Sequence, residues 1–215
     1  MKSRKKQAER SAETSKKILD AAQKLFARKG YEGVSLREIA AEGGVNLASI
    51  VYYFDSKDGL YEAVLERYSN AVNKARTEAM VEADKNPSIE AYVRAFIEPS
   101  FRIMTDASMG GPMHALLLWR SPHEPRHLWD KIYKRSYAPV TEEYGDRLRK
   151  LCPNTTEKDF SWCTHMMSSI FFSTLGKCAN EASWSMDIWL EDAGFIMDRL
   201  VRSMSTILRE LSVER

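Results

Sequence analysis

Residues 30–65 read GYEGVSLREIAAEGGVNLASIVYYFDSKDGLYEAVL, and their punctuation describes two short helices and the start of a third. Ser35 and Glu38 have the spacing of a capping box, in which each side chain satisfies the other residue's backbone N–H. Leu36, Ile39 and Ala40 then share one helical face, and Gly43-Gly44 breaks that helix. Asn46 is a good N-cap for a second helix from Leu47 to Phe54. Ser56 caps a further helix, with Asp58 in its first turn where the helix dipole favours a carboxylate. Upstream, Ile18, Leu19, Ala22, Leu25 and Phe26 form one apolar face that stops at Gly30. A long supporting helix followed by two short ones across a tight glycine turn is a helix-turn-helix, here over residues 35–54. Such a unit lays its second helix in the major groove, where base edges carry the sequence code.

Downstream the chain continues in helical spacing. The helix opened by Ser56 runs from Lys57 through Leu60, Val64, Tyr68 and Val72 into the low 80s, and Asn86-Pro87-Ser88 separates it from Ile89–Asp106, which contains Pro99. Gly110-Gly111-Pro112 is a break, His114–Arg120 a short apolar helix, and Leu128–Lys150 a helix with a kink expected at Pro139. Helices over Glu157–Lys177 and Met186–Leu211 close the chain. With no alternating strand pattern, repeat or low-complexity tract, the fold class is all-α. A three-helix helix-turn-helix domain at residues 1–60 is followed by a larger helical domain at 61–215.

Charge is distributed unevenly. Of 32 Lys+Arg and 30 Asp+Glu, residues 1–60 hold 12 basic and 8 acidic. Lys2, Arg4, Lys5, Lys6, Arg10, Lys16 and Lys17 form a basic arm facing only Glu9 and Glu13. On charge alone the arm suits a polyanionic partner or a solvated leader equally well. Cys152, Cys163 and Cys178 make no CxxC pair, the pattern of free thiols in a reducing compartment. Asp20 interrupts the short apolar run after the N-terminal lysines, and no apolar run approaches the ~18–20 residues of a membrane span. A cytoplasmic protein with no membrane partner is expected.

Enzymatic readings find little support. His123-Glu124-Pro125-Arg126-His127 formally matches HExxH, but zinc chemistry needs both histidines one turn apart on a continuous helix, and Pro125 interrupts it. Cys163 and His165 stand two apart, which points their side chains in different directions on a helix. No phosphate loop, nucleophile elbow or paired carboxylates occur, so neither cofactor nor metal is expected. A ligand carrier with a merely structural N-terminal bundle, and a non-specific nucleic-acid binder, are the competing readings.

The residues of the opening stretch bring a resemblance. Gly30-Tyr31, Ser35, Ile39-Ala40, Gly44-Val45, Ser49-Ile50, Tyr53-Phe54, Ser56-Lys57 and Leu60 match the N-terminal pattern of the TetR family of bacterial repressors. The form VNLASI, in place of the commoner VSxGTL, resembles a subgroup typified by repressors of transport and drug-sensitivity genes. The resemblance implies a homodimer that reads a palindromic double-stranded DNA operator and releases it when a small-molecule effector enters the C-terminal domain. By matching position, it places Arg37, Leu47, Ser49, Val51, Tyr52, Tyr53 and Lys57 at the DNA. Two departures stand out: Val51 occupies a position where the family usually has Tyr, and Ala48 one where Gly is common. Leu47 and Val51 offer no hydrogen bond to a base, which moves sequence choice toward Arg37 and DNA shape.

The C-terminal half is rich in soft and aromatic side chains, most of them expected in the core. A subset is expected to line an effector cavity: Phe101, Met104, Met113, Trp119, Trp129, Tyr133, Trp162 and Met166, with His114, Arg94 and His165 as polar candidates. The last two helices are expected to form an isologous dimer contact through Ile170, Phe171, Leu175, Ile188, Phe195, Ile196, Leu200 and Met204.

Overall fold

The structure, a computed structural model, describes residues 2–105, 110–179 and 193–212. Among them there is no strand, and the fold is all-helical. The first helix, α1 (Lys2–Lys29), begins well before the apolar spacing at Ile18, so the basic arm is its N-terminal half. The arm holds no Gly or Pro, is built from strong helix formers, and carries the i,i+4 pairs Glu13–Lys17 (2.9 Å) and Lys16–Asp20 (3.4 Å).

Helices α2 (Leu36–Gly43) and α3 (Leu47–Phe54) pack against it. The capping box forms as its spacing predicts: Ser35 N–H donates to Glu38 Oε2 (2.8 Å), and Glu38 N–H to Ser35 Oγ (3.2 Å). Gly44, at φ 61°, adopts the left-handed conformation that ends α2, with Gly44 N–H bonded to Ala41 O and Val45 N–H to Ala40 O. This is the double-bonded Schellman stop, and a Cβ at Gly44 would strain it. Ile18, Phe26, Ile39, Ile50, Leu60 and Tyr61 are fully or almost fully buried and fuse the three helices into one core with the next.

That next helix, α4 (Lys57–Ala83), is the spine of the molecule. Its first turns belong to the core just described. Further along it packs on α5 (Ile89–Thr105), which carries Pro99 internally and also contacts α6 (Gly111–Arg120). A 3-10 turn, Ser121–His123, leads into α7 (Arg126–Ile132). A π turn over Tyr133–Tyr137 then joins α7 to α8 (Ala138–Leu151). The irregularity expected at Pro139 therefore lies one turn earlier. Proline lacks an N–H and clashes with the carbonyl four residues back, so the ladder opens ahead of it.

Helices α9 (Glu157–Ala179) and α10 (Ala193–Ser212) pack on each other and on α5. The expected start of the last helix at Met186, together with Ile188, lies outside the described residues. Cys152 and Cys163 are buried free thiols. Among the described residues, no helix is long and apolar enough to cross a membrane.

Candidate functional sites: an exposed helix and an internal cavity

Helix α3 buries Ile50 completely and presents its other side outward. Tyr52 is 82% exposed and Val51 48%, while Leu47, Ser49, Tyr53 and Phe54 are half-buried. Half-burial of Leu47 and Tyr53 comes from packing against the three-helix core. The Tyr53 hydroxyl bonds Ser11 Oγ (2.9 Å), which clamps α3 to the N-terminal half of α1. Lys57 stands with Nζ 4.1 Å from the Tyr31 ring centroid, a cation–π contact that fixes the ammonium beside the end of α3. Arg37 is exposed at the start of α2. Arg37 on α2 and Val51 and Tyr52 on α3 are thus exposed, while Lys57 at the start of α4 is half-buried.

Beneath α2, Lys29 Nζ bonds Glu38 Oε1 (2.9 Å); this bond and those from Ser35 hold the Glu38 carboxyl at about 2. The capping carboxylate is therefore ionised throughout the physiological range.

A cavity of about 170 Å³ lies inside the C-terminal half, walled by α4, α5, α6, α7, α8, α9, α10 and the π turn. Of the residues expected around an effector, His114, Trp129 and Tyr133 line it. The others stand elsewhere, with the exception of Met104, whose side chain lies outside those described. Phe101 is buried against Phe171, while Met113 and Trp119 pack on the core. Trp162 is 59% exposed on the outer side of α9, and Met166 is half-buried beside it. Arg94 pairs with Asp198 at the surface (2.6 Å), and His165 is exposed.

Several residues expected at a dimer contact face inward within one subunit. Phe171 and Met204 line the cavity, and Leu175, Ile196 and Leu200 are buried in the core. The spacing that marks the apolar face of α9 and α10 marks the face turned to their own subunit. Ile170 is half-buried and Phe195 49% exposed. The outward sides of the two helices carry Trp162, His165, Ser169, Phe195, Arg202 and Thr206.

Sequence reasoning missed Arg76. This arginine is only 5% exposed and lines the cavity from α4. A signal was present, since Arg76 lies four residues after Val72 and four before Met80, on the buried stripe of its helix. Tyr137 and Tyr144, also cavity-lining, are buried with unpartnered hydroxyls.

The HExxH-like run is not one helix, because His123 ends the 3-10 turn and α7 begins only at Arg126. Its residues instead bind the N-terminal domain. Glu124 Oε1 accepts from Tyr31 N–H (3.1 Å), and His127 Nε2 lies 3.4 Å from Asp58. Nearby, Lys131 Nζ bonds the buried Glu62 (2.7 Å) and Arg135 pairs with Glu62 and Glu66.

An exposed short helix held after a glycine turn, with a cavity one long helix away, defines a helix-turn-helix regulator. The comparisons give the family. Residues 18–64 match the family described as bacterial regulatory proteins, tetR family. Residues 94–206 match the tetracyclin repressor-like C-terminal domain, and the chain belongs to the TetR family. It is 43% identical over 61 residues to "Probable HTH-type transcriptional regulator YttP" of Bacillus subtilis (strain 168), covering 28% of this chain and 30% of that protein. It is 36% identical over 88 residues to the biofilm operon icaADBC HTH-type negative transcriptional regulator IcaR of Staphylococcus aureus (strain Newman), covering 40% of this chain and 46% of that protein. The chain thus spans less than half the length of either. A TetR-like transcriptional regulator from Rhodococcus sp. RHA1 has the same fold, with TM-score 0.66 and 17% identity over 94% of this chain and 97% of that one. These families and relatives are transcriptional regulators, not enzymes.

Proposed function

We propose that this chain is a ligand-responsive repressor that binds a palindromic operator as a homodimer and is released by a small molecule. The observation that carries the reading is the path of α4. Its first residue, Lys57, follows the exposed helix α3 after Asp55 and Ser56, and its later turns supply Val72 and Arg76 to the cavity wall. A molecule seated in the cavity bears on the same rigid element that positions α3. The S. aureus relative is a negative transcriptional regulator, and repression comes to this chain by that likeness.

In this reading, residues 1–60 form the DNA-binding part and 61–215 the effector and dimerisation part, α4 belonging to both. Arg37, Val51, Tyr52 and Lys57 meet the DNA directly, with Leu47, Ser49 and Tyr53 seating α3 against the backbone. The resemblance of the VNLASI segment supports a repressor of transport or drug-sensitivity genes, acting in the cytoplasm. The outward sides of α9 and α10 pair across a twofold axis, holding two α3 helices about 34–36 Å apart for successive major grooves. Effector binding alters that spacing, a coupling worth about 1–3 kcal/mol that acts reciprocally on the effector.

A footprint on the DNA upstream of the protein's own reading frame tests the reading, with Arg37→Ala and Tyr53→Ala as controls. A discrete footprint lost in both variants supports it, and one that neither variant alters sinks it.

A further inference from the structure

Arg76 is the chemical anomaly of the cavity. Its guanidinium donates to Phe96 O (Nε, 3.0 Å), Ser100 Oγ (Nη2, 2.6 Å) and Asn73 Oδ1 (Nη1, 3.3 Å), all neutral acceptors. It stacks on the Phe96 ring at 4.1 Å from the centroid, and that ring in turn stacks on Tyr144. No carboxylate lies within ion-pair distance among the described residues. The acidic residues nearer the start of α4, Glu62 and Glu66, are matched by Lys131 and Arg135. A buried cation without a counter-charge is costly, and natural cores seldom keep one that does nothing. Burial lowers Arg76 only to about 10, so it is charged at neutral pH. The three bonds leave one N–H on each terminal nitrogen unused, the pair that a carboxylate accepts side by side.

We propose that the effector is a small amphipathic carboxylate whose anionic end pairs with Arg76 while its apolar body lies among the aromatic side chains of the cavity. This rests on the reading of the cavity as the effector site. The remaining wall is mostly apolar and aromatic, and includes Trp129, Phe171 and Phe172. The unpartnered hydroxyls of Tyr137 and Tyr144 add donors near the guanidinium, whose charge acts on both. At about 170 Å³ the space suits roughly one ring, since a dry cavity of about 150 Å³ takes up benzene. A phosphomonoester fits poorly: it carries up to two charges, against the single guanidinium that the wall supplies.

The position also gives the anion leverage. Arg76 bonds Asn73 one turn back on α4, and Asn73 Nδ2 donates to the Ser136 carbonyl in the π turn that carries Tyr133 and Tyr137. Charge neutralisation at Arg76 therefore reaches α4 and the π turn together.

The test compares acids with matched neutral amides on the full-length protein by titration calorimetry: benzoate against benzamide, and phenylacetate against phenylacetamide. The expected result is binding of at least one acid about tenfold or more tighter than its amide. Arg76→Met should remove that preference and Arg76→Lys should keep part of it. The acid–amide ratio in the unaltered protein needs no variant to fold. Amides that bind as tightly as their acids overturn the proposal while leaving the effector cavity standing. If no acid or amide binds at millimolar concentration to protein that still binds its operator, the cavity reading and the proposal fall together.

Discussion

The Glu124 carboxylate accepts a hydrogen bond from the Tyr31 backbone N–H across 93 residues of sequence, at 3.1 Å, and so joins the turn after α1 to the turn before α7. Arg120 holds the same carboxylate from its own side at 3.7 Å. Gly30, at φ 76°, lets the chain pass so close that an added Cβ would stand 2.9 Å from Glu124 Oε1. Through this contact the helix-turn-helix rests directly on the cavity-bearing domain as well as on α4.

Glu124→Ala strips the Tyr31 N–H of its partner and frees Arg120. The expected loss is about 1–3 kcal/mol in urea unfolding, the range for leaving a partly buried donor unsatisfied. Glu124→Gln keeps an acceptor and should lose less. In operator titrations, Glu124→Ala should also shrink the difference between effector-bound and effector-free protein; an unchanged difference would show that α4 alone carries the coupling.

Tyr52 projects freely, with 82% of its surface exposed. Tyr52→Ala is expected to change stability by no more than about 0.5 kcal/mol. In the proposed function it should nevertheless weaken operator binding about tenfold, read by fluorescence anisotropy. Equal affinity in the variant would move the DNA contact off this face. Tyr53→Phe, which removes the bond to Ser11, should affect stability and affinity together.

His114 is fully buried with both ring nitrogens unpartnered, its ring edge-on to Tyr68 at 4.9 Å between centroids. Burial, reinforced by the positive Arg67, pushes its pKa from 6.5 down to about 3. Below pH 6.5 the unfolded chain takes up a proton that the folded chain refuses until about pH 3. Stability therefore falls as pH drops through that window, by at most about 1.4 kcal/mol per pH unit from this group. Denaturant unfolding of His114→Phe between pH 7 and about 5 should show a shallower decline than the parent protein. Parallel declines would mean that His114 is protonated in the fold.

Trp162 lies on the outward side of α9 and is 59% exposed. If that side meets its twofold mate, Trp162→Glu should dissociate the dimer by placing like charges near the axis. Sedimentation velocity at micromolar concentration would show a shift to monomer, and a persistent dimer would place the contact elsewhere.

Local chemistry made the DNA-facing half legible in advance. Ser35 with Glu38, Gly44, Asn46 and Ser56 stop and start helices through hydrogen bonds within a few residues of themselves, so the sequence alone carried α2, α3 and the beginning of α4. Helical spacing likewise gave the all-α class and the apolar faces of α9 and α10. It could not say which surface those faces meet, because burial against one's own subunit and against a second copy select the same side chains. That is why Leu175, Ile196 and Leu200, expected at a dimer contact, lie in the subunit core instead. Arg76 in the cavity wall and Glu124 against Tyr31 are pairings between segments far apart in sequence, which only tertiary packing decides. The charge and hydrogen-bonding groups in HExxH-like residues 123–127 were visible from the start. What they bind was settled by the turn that broke their helix and by the domain packed against it.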